Sequence, residues 1–135
     1  MSCFVVDVMN VMGSRPDGWW RDREAAMRRL LRQISVFAEK EAVEVVTVLE
    51  GVKLPDFPEG QHGFLKVTYA RRRGRNAGDD RIVEFIAEKA QEKLASDMLV
   101  VTADRDLRAR VEAHGATTIG PKKFLARLDS TSDKH

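Results

Sequence analysis

Cysteine is almost absent from this chain. Cys3 is the single one among 135 residues, so no intramolecular disulfide and no cysteine-based metal site can form. A reducing compartment fits that usage best. Histidine is sparse too. His62, His114 and His135 are scattered and adjoin no motif, which leaves no ligand set of the kind zinc prefers. No segment approaches the roughly 18 consecutive apolar residues of a membrane span. No basic stretch followed by a long apolar one opens the chain as a secretory leader would. A cytoplasmic protein with no membrane association is expected. An excess of one charge is also lacking: 23 Lys and Arg stand against 21 Asp and Glu, a net +2. Bulk charge therefore announces no partner, and only the placement of the charges can. No G-x-G-x-x-G follows the first apolar run, which excludes a dinucleotide fingerprint. There is no internal repeat and no low-complexity block.

The hydrophobic fraction of 43% and charged fraction of 33% belong to a globular chain long enough for one real core. The runs "FVVDV", "VEVVTVLEG", "LKVTYA" and "MLVVTA", with a weaker "ATTIG", are short, mostly Val-rich and bounded by turn or charged residues, as buried strands are. Helical patterns alternate with them. Ala26, Leu30, Ile34 and Phe37 form one stripe, with Arg28, Arg29 and Arg32 opposite; Ile82, Val83, Ile86, Ala90 and Leu94 form another, and Leu107 and Val111 a third. A short helix is predicted near residues 122–128. The segment "GVKLPDFPEGQHGF" is rich in Pro and Gly and reads as an irregular loop. Such alternation predicts an α/β fold with a parallel sheet and helices on both faces. The expected organisation is one domain over 1–128 and a solvated tail over 129–135.

Ligand sites in open parallel sheets form beyond the carboxyl ends of the strands. Asp7, Glu50 and Asp104 lie at such ends, and the helix opening near Asp79 follows the third strand. At about 100° per residue, Asp79 falls near the centre of the apolar stripe and is expected to face the sheet, with Asp80 at the margin. Each acid alone has a structural explanation, as a helix cap, a dipole partner or a strand terminator. Together they repel, by roughly 4 kcal/mol per pair at about 4 Å and an effective dielectric near 20. A hard divalent cation such as Mg²⁺ or Mn²⁺ would relieve this with oxygen ligands.

Directly before Asp79 the chain reads "YARRRGRNAGDD", with Arg71, Arg72, Arg73 and Arg75 in a short loop. Such a run is either a solvated face or a cradle for phosphates beside the acids. The loop after the first strand, "GSRPDGWWRDR", adds Arg15, Trp19 and Trp20. A Trp there either stacks on a base or anchors the first long helix on the core.

The segments "VVDVMNVMGSRPDGWWRDR", "AGDDRIVEFIA" and "VVTADRDLRARV", in that order, resemble those of the NYN domain proteins, a branch of the PIN-like nucleases that includes the YacP-like predicted ribonucleases. The resemblance covers nearly the whole chain. It implies a three-layer PIN-like fold with a parallel sheet in the order 3-2-1-4-5, a divalent metal held by acids, and cleavage of RNA phosphodiesters. Carried onto this chain, it marks Asp7, Asn10, Asp79 with Asp80, Asp104 and, as a fourth acid, Asp106 as catalytic, with Asp7, Asp79 and Asp104 as ligands of Mg²⁺ or Mn²⁺. The usual family form of the first motif is D-G-N-N, whereas this chain reads "DVMN". A side chain at position 8 narrows the expected turn, and Met9 removes an amide.

Two functions follow. The leading one is a metal-dependent ribonuclease whose RNA backbone is held by Arg15 and Arg71 to Arg75, with Trp19 and Trp20 beside them. The alternative, favoured by "DVMN", is an RNA-binding or regulatory module with little or no catalysis. A phosphoacceptor receiver would need an acceptor Asp after the third strand, where the chain instead reads "YARRRGR". RNA is the expected partner, and homodimerisation is left open.

Overall fold

The Val-rich runs form the strands, because β-branched side chains buried on both sides suit the middle of a parallel sheet. The computed structural model describes residues 2–51, 53–70 and 77–132. In chain order its elements are β1 (Cys3–Asp7), α1 (Val8–Gly13), a 3-10 turn (Trp19–Arg21), α2 (Arg23–Glu41), β2 (Glu44–Leu49), β3 (Gly60–His62), β4 (Leu65–Tyr69), α3 (Ala77–Gln91), a second 3-10 turn (Ala95–Asp97), β5 (Met98–Val101), α4 (Arg105–Glu112), β6 (Thr117–Ile119) and α5 (Pro121–Ser132). They assemble one six-stranded sheet in the order β3-β4-β2-β1-β5-β6. Every pairing is parallel except β3 with β4.

The α/β class with helices on both faces is as expected, and the five parallel strands keep the expected order. The stated order omits β3. Residues 60–62, expected within an irregular loop, form an antiparallel edge strand, because Gly63 at φ +64° takes the left-handed turn that closes a tight hairpin onto β4. The rest of that loop is anchored through Leu54, whose amide donates to the Tyr69 hydroxyl at 3.0 Å while that hydroxyl donates to the Phe57 carbonyl at 2.8 Å.

Side chains alternate between two cores. Phe4 and Val6 of β1, Val45 and Leu49 of β2 and Val101 of β5 pack with α1, α2 and α5. Cys3 and Val5, Val46 and Val48, and Met98 and Val100 pack with α3 and α4. Period two then carries Asp7, Glu50 and Thr102 to the α3/α4 side, at the edge where the parallel strands end.

Two helices differ from expectation. Val8 was expected to end the first strand and to be followed by a loop; the backbone instead turns directly from Asp7 into α1. Val8, Val11 and Met12 are buried against the α2/α5 layer. Their spacing is helical, but a continuous apolar run masks it. At the other end, α5 runs to Ser132 rather than stopping near residue 128, so residues 129–132, expected in the tail, are helical. Phe124, Leu128 and the buried Thr131 continue one stripe. The Thr131 hydroxyl donates to Arg127 O at 2.9 Å, and Lys40 Nζ donates to the Thr131 carbonyl at 3.3 Å. Residues 133–135 lie outside the described part.

Phe124 joins three elements: its ring centroid lies 5.4 Å from that of Phe4 and 5.8 Å from that of Phe37. Phe124→Ala should destabilise the fold by about 3–5 kcal/mol, read as a lowered urea midpoint with an unchanged slope. A loss below about 1 kcal/mol would mean that α5 is not integral to this core.

Candidate active site at the carboxyl edge

Asp7 ends β1 on the α3/α4 side and is only 9% exposed. Its Oδ2 accepts from Thr102 Oγ1 at 3.4 Å. The same hydroxyl oxygen accepts from the Asp104 amide at 3.2 Å. One threonine therefore ties the end of β1 to the turn between β5 and α4. Asn10, one turn into α1, adds a second tie, its Oδ1 accepting from the Ala103 amide at 2.9 Å.

Glu50 follows β2 and reaches the first turn of α3, where its Oε1 accepts from the Gly78 amide. The contact is close enough that a Cβ on residue 78 would lie 2.6 Å from that oxygen. Glycine is required there by proximity rather than by backbone angle. Glu50 was recognised as a strand-end acid but not placed among the catalytic residues, and Gly78 and Thr102 were missed. Strand alternation could have found Glu50 and Thr102. Nothing local marks Gly78.

Asp79 is half-buried beside this contact. It was expected at the centre of the buried face of α3, but that face is formed by Gly78, Ile82, Phe85 and Ile86. Asp79 sits roughly 75° from its centre at about 100° per residue. The expected stripe leaned the other way because it counted Val83 and Ala90, which are only half-buried, and Leu94, which lies beyond the helix and is exposed, while omitting Gly78 and Phe85.

The acids perturb one another. Burial, then the neighbouring Asp79 and Glu50, raise the Asp7 carboxyl to about 7, with the Asn10 backbone amide and the Thr102 hydroxyl pulling it back. Burial, then Asp104 and Glu50, raise Asp79 to about 6, against the pull of Arg110. Two carboxyls that titrate near neutrality at one sheet edge are candidates for proton transfer.

The remaining expected site residues divide. Asp104 caps α4, its Oδ1 accepting from the Leu107 amide at 3.0 Å, while it also presses on Asp79. Asp80 turns aside to Arg110 Nη2 at 3.1 Å. Asp106 is exposed in the first turn of α4. Among the described residues, no three of His, Cys, Asp and Glu stand together so as to hold a metal ion. Arg15 links α1 to two helices, through Gln33 at 2.9 Å and Asp129 at 3.0 Å. Trp19 packs partly buried on the core beneath Arg23, whereas Trp20 is 59% exposed. Arg71, Arg72, Arg73 and Arg75 lie outside the described residues. A cavity of about 260 Å³ opens beside Glu50, walled by Met9 and Met27.

A carboxyl whose pKa rises on folding costs stability once ionised. For Asp7, going from the ordinary 3.8 to about 7, that cost is absent below about pH 4 and grows as pH rises to 7. Asp7→Asn should therefore raise the melting temperature at pH 8 in EDTA, by up to roughly 4 kcal/mol of stability at about 1.4 kcal/mol per pKa unit. The gain should vanish by pH 4. Melts that show equal effects at both pH values would mean the carboxylate is not strained by burial.

Gly78→Ala should cost about 1–3 kcal/mol through overpacking against Glu50. In the Glu50→Ala background, where the obstructing carboxylate is gone, the same change should cost far less. Additive losses in a urea double-mutant cycle would contradict the close approach.

The fold has solved counterparts. The crystal structure of Rae1 (YacP) from Bacillus subtilis superposes with a TM-score of 0.76 at 18% identity, over 98% of this chain and 76% of that one. Its W164L mutant gives a TM-score of 0.77 at 17% identity, over 98% and 77%. No curated protein matches the chain in sequence. The sequence model of the YacP-like NYN domain matches residues 4–135, nearly the full length, and the chain belongs to the YacP-like NYN domain family.

Proposed function

We propose that this protein is a divalent-metal-dependent ribonuclease that hydrolyses RNA phosphodiester bonds at the carboxyl edge of its sheet. The observation that carries this reading is the placement of Asp7 and Asp79 at one sheet edge, where burial and neighbouring acids raise Asp7 to about 7 and Asp79 to about 6. Substrate RNA and a cytoplasmic setting belong to the same proposal. Among the described residues no helix is long and apolar enough to cross a membrane.

The donor set is all oxygen and fits a hydrated Mg²⁺ or Mn²⁺, which takes only one or two carboxylates and keeps several waters. Asp7 and Asp79 would hold the ion, with Asp104 as the neighbouring acid. When bound, such an ion supplies Lewis acidity at the phosphoryl group and lowers the pKa of a coordinated water.

The chain's own groups do the positioning. Thr102 orients Asp7 Oδ2, and Asn10 holds the Ala103 amide so that the turn carrying Asp104 stays against β1. Glu50 pins the start of α3 and thereby Asp79. The raised Asp7 and Asp79 carboxyls describe the metal-free site; a bound cation would hold both ionised. Hydrolysis of the phosphodiester leaves a phosphomonoester and a hydroxyl, the proton of the attacking water passing to solvent or to the leaving oxygen.

A second reading, an RNA-binding module with weak or no catalysis, is favoured by one observation: Met9 presents an apolar side chain to the cavity beside Glu50, where the usual D-G-N-N form has an amide. One experiment separates the two. Labelled RNA incubated with the full chain should be cut in Mn²⁺ and left intact in EDTA, and Asp79→Asn should slow cutting by about 10²–10⁴-fold. RNA that is bound but uncut, with binding indifferent to chelator, would establish the module instead.

A further inference from the structure

A second cavity adjoins the acidic site and is lined by cations and no acid. It has a volume of about 680 Å³, and Ala103, Arg108, Lys122, Lys123 and Arg127 contribute to its wall. The shared residue is Ala103. Its amide is held by Asn10 Oδ1 at 2.9 Å, and its neighbours Thr102 and Asp104 belong to the acidic site. α5 follows the parallel strand β6, so Lys122 and Lys123 in its first turn emerge at the same sheet edge as Asp7.

The cations are set rather than incidental. Arg108 Nε donates to Thr118 Oγ1 at 3.1 Å, and that hydroxyl donates to Glu112 Oε2 at 3.2 Å, which orients the guanidinium. The Arg127 guanidinium lies 5.7 Å from the centroid of the Phe4 ring. Lys122 and Lys123 are exposed and form no ion pair among the described residues. Like charges around one cavity repel unless an anion sits between them. The half-buried apolar side chains of Leu99 and Ile119 also line it, giving a surface against which base faces can rest without sequence preference.

We propose that this cavity is a backbone channel for the RNA strand flanking the cut site, with Arg108, Lys122 and Lys123 as phosphate contacts. The inference rests on the ribonuclease reading of the adjoining acids. A phosphodiester chain is favoured over an acidic protein because the channel shares a wall with a site suited to phosphate chemistry and continues along the same edge.

The test is anisotropy of a labelled single-stranded RNA with the full chain in EDTA, across a salt series. The variant is Lys122→Gln with Lys123→Gln. The control is Lys89→Gln with Lys93→Gln, equal in charge, Lys89 in the last turn of α3 and Lys93 just beyond it. Each phosphate contact on a single strand contributes about 0.7 to the slope of log affinity against log salt. The variant slope should be shallower by about 1.4, so that wild type gains about 25-fold more than the variant between about 1 M and 0.1 M salt. The control should keep the wild-type slope.

Cutting of the same RNA by the wild-type chain in Mn²⁺ reads the ribonuclease activity separately. An unchanged slope in a variant that melts like wild type overturns the channel and leaves the ribonuclease reading intact. RNA bound with the expected slope change but never cut overturns the ribonuclease reading and keeps the channel. Loss of polyglutamate binding with RNA binding retained reassigns the cavity to an acidic protein and overturns the proposal. Absence of any RNA binding by wild type overturns both.

Discussion

The carboxylate of Asp7 is fixed at the end of β1 and only 9% exposed, and the rest of the site is arranged around that constraint. In β1 the side chains alternate strictly, so the residue after Cys3 and Val5 on the α3/α4 side must point into that layer. There it meets the opening turns of two helices that follow parallel strands and therefore start at the same edge. Burial and neighbouring charge then act in one direction, raising Asp7 and Asp79 together. Thr102 and the Asn10 amide offset part of that strain without removing it. A site so built is poised to accept either a proton or a cation.

The replacement of a turn by α1 makes the "DVMN" segment compatible with this geometry. Val8 does not crowd a turn, because no turn is formed; it enters the α2/α5 core fully buried. The helix then brings Asn10 round to the Ala103 amide, a contact that a wandering loop would not hold in place. Met9 faces the cavity beside Glu50. The departure from the usual motif thus changes the lining of the pocket while leaving the placement of Asp7 and Asn10 intact.

Charge is segregated on a chain whose totals nearly balance. Acids occupy the centre of the carboxyl edge, and cations occupy the cavity on the far side of residues 102–104. Not every basic residue near the edge belongs to that pattern. Arg15 connects α1 to α2 and α5 through Gln33 and Asp129, and Trp19 serves the core while Trp20 does not. Neighbouring residues of the same type thus have different fates, decided by which helix face meets them.

Much of this was legible in the sequence, because burial in regular elements leaves a period. Runs of Val and helical stripes give the α/β class and the positions of Asp7, Glu50 and Asp104 at strand ends, while the order of the parallel strands came from the family resemblance. The same logic failed where the period was masked or truncated: α1 lies inside an unbroken apolar run, β3 is a three-residue strand, and Leu94 counted toward a helix it does not join. Only the tertiary structure decided that Glu50 seats against Gly78, that Thr102 and Asn10 tie β1 to the turn before α4, and that Arg15 is a structural link. These are contacts between side chains and backbone far apart along the chain. They depend on the distance between packed elements, which no local pattern of residue types records.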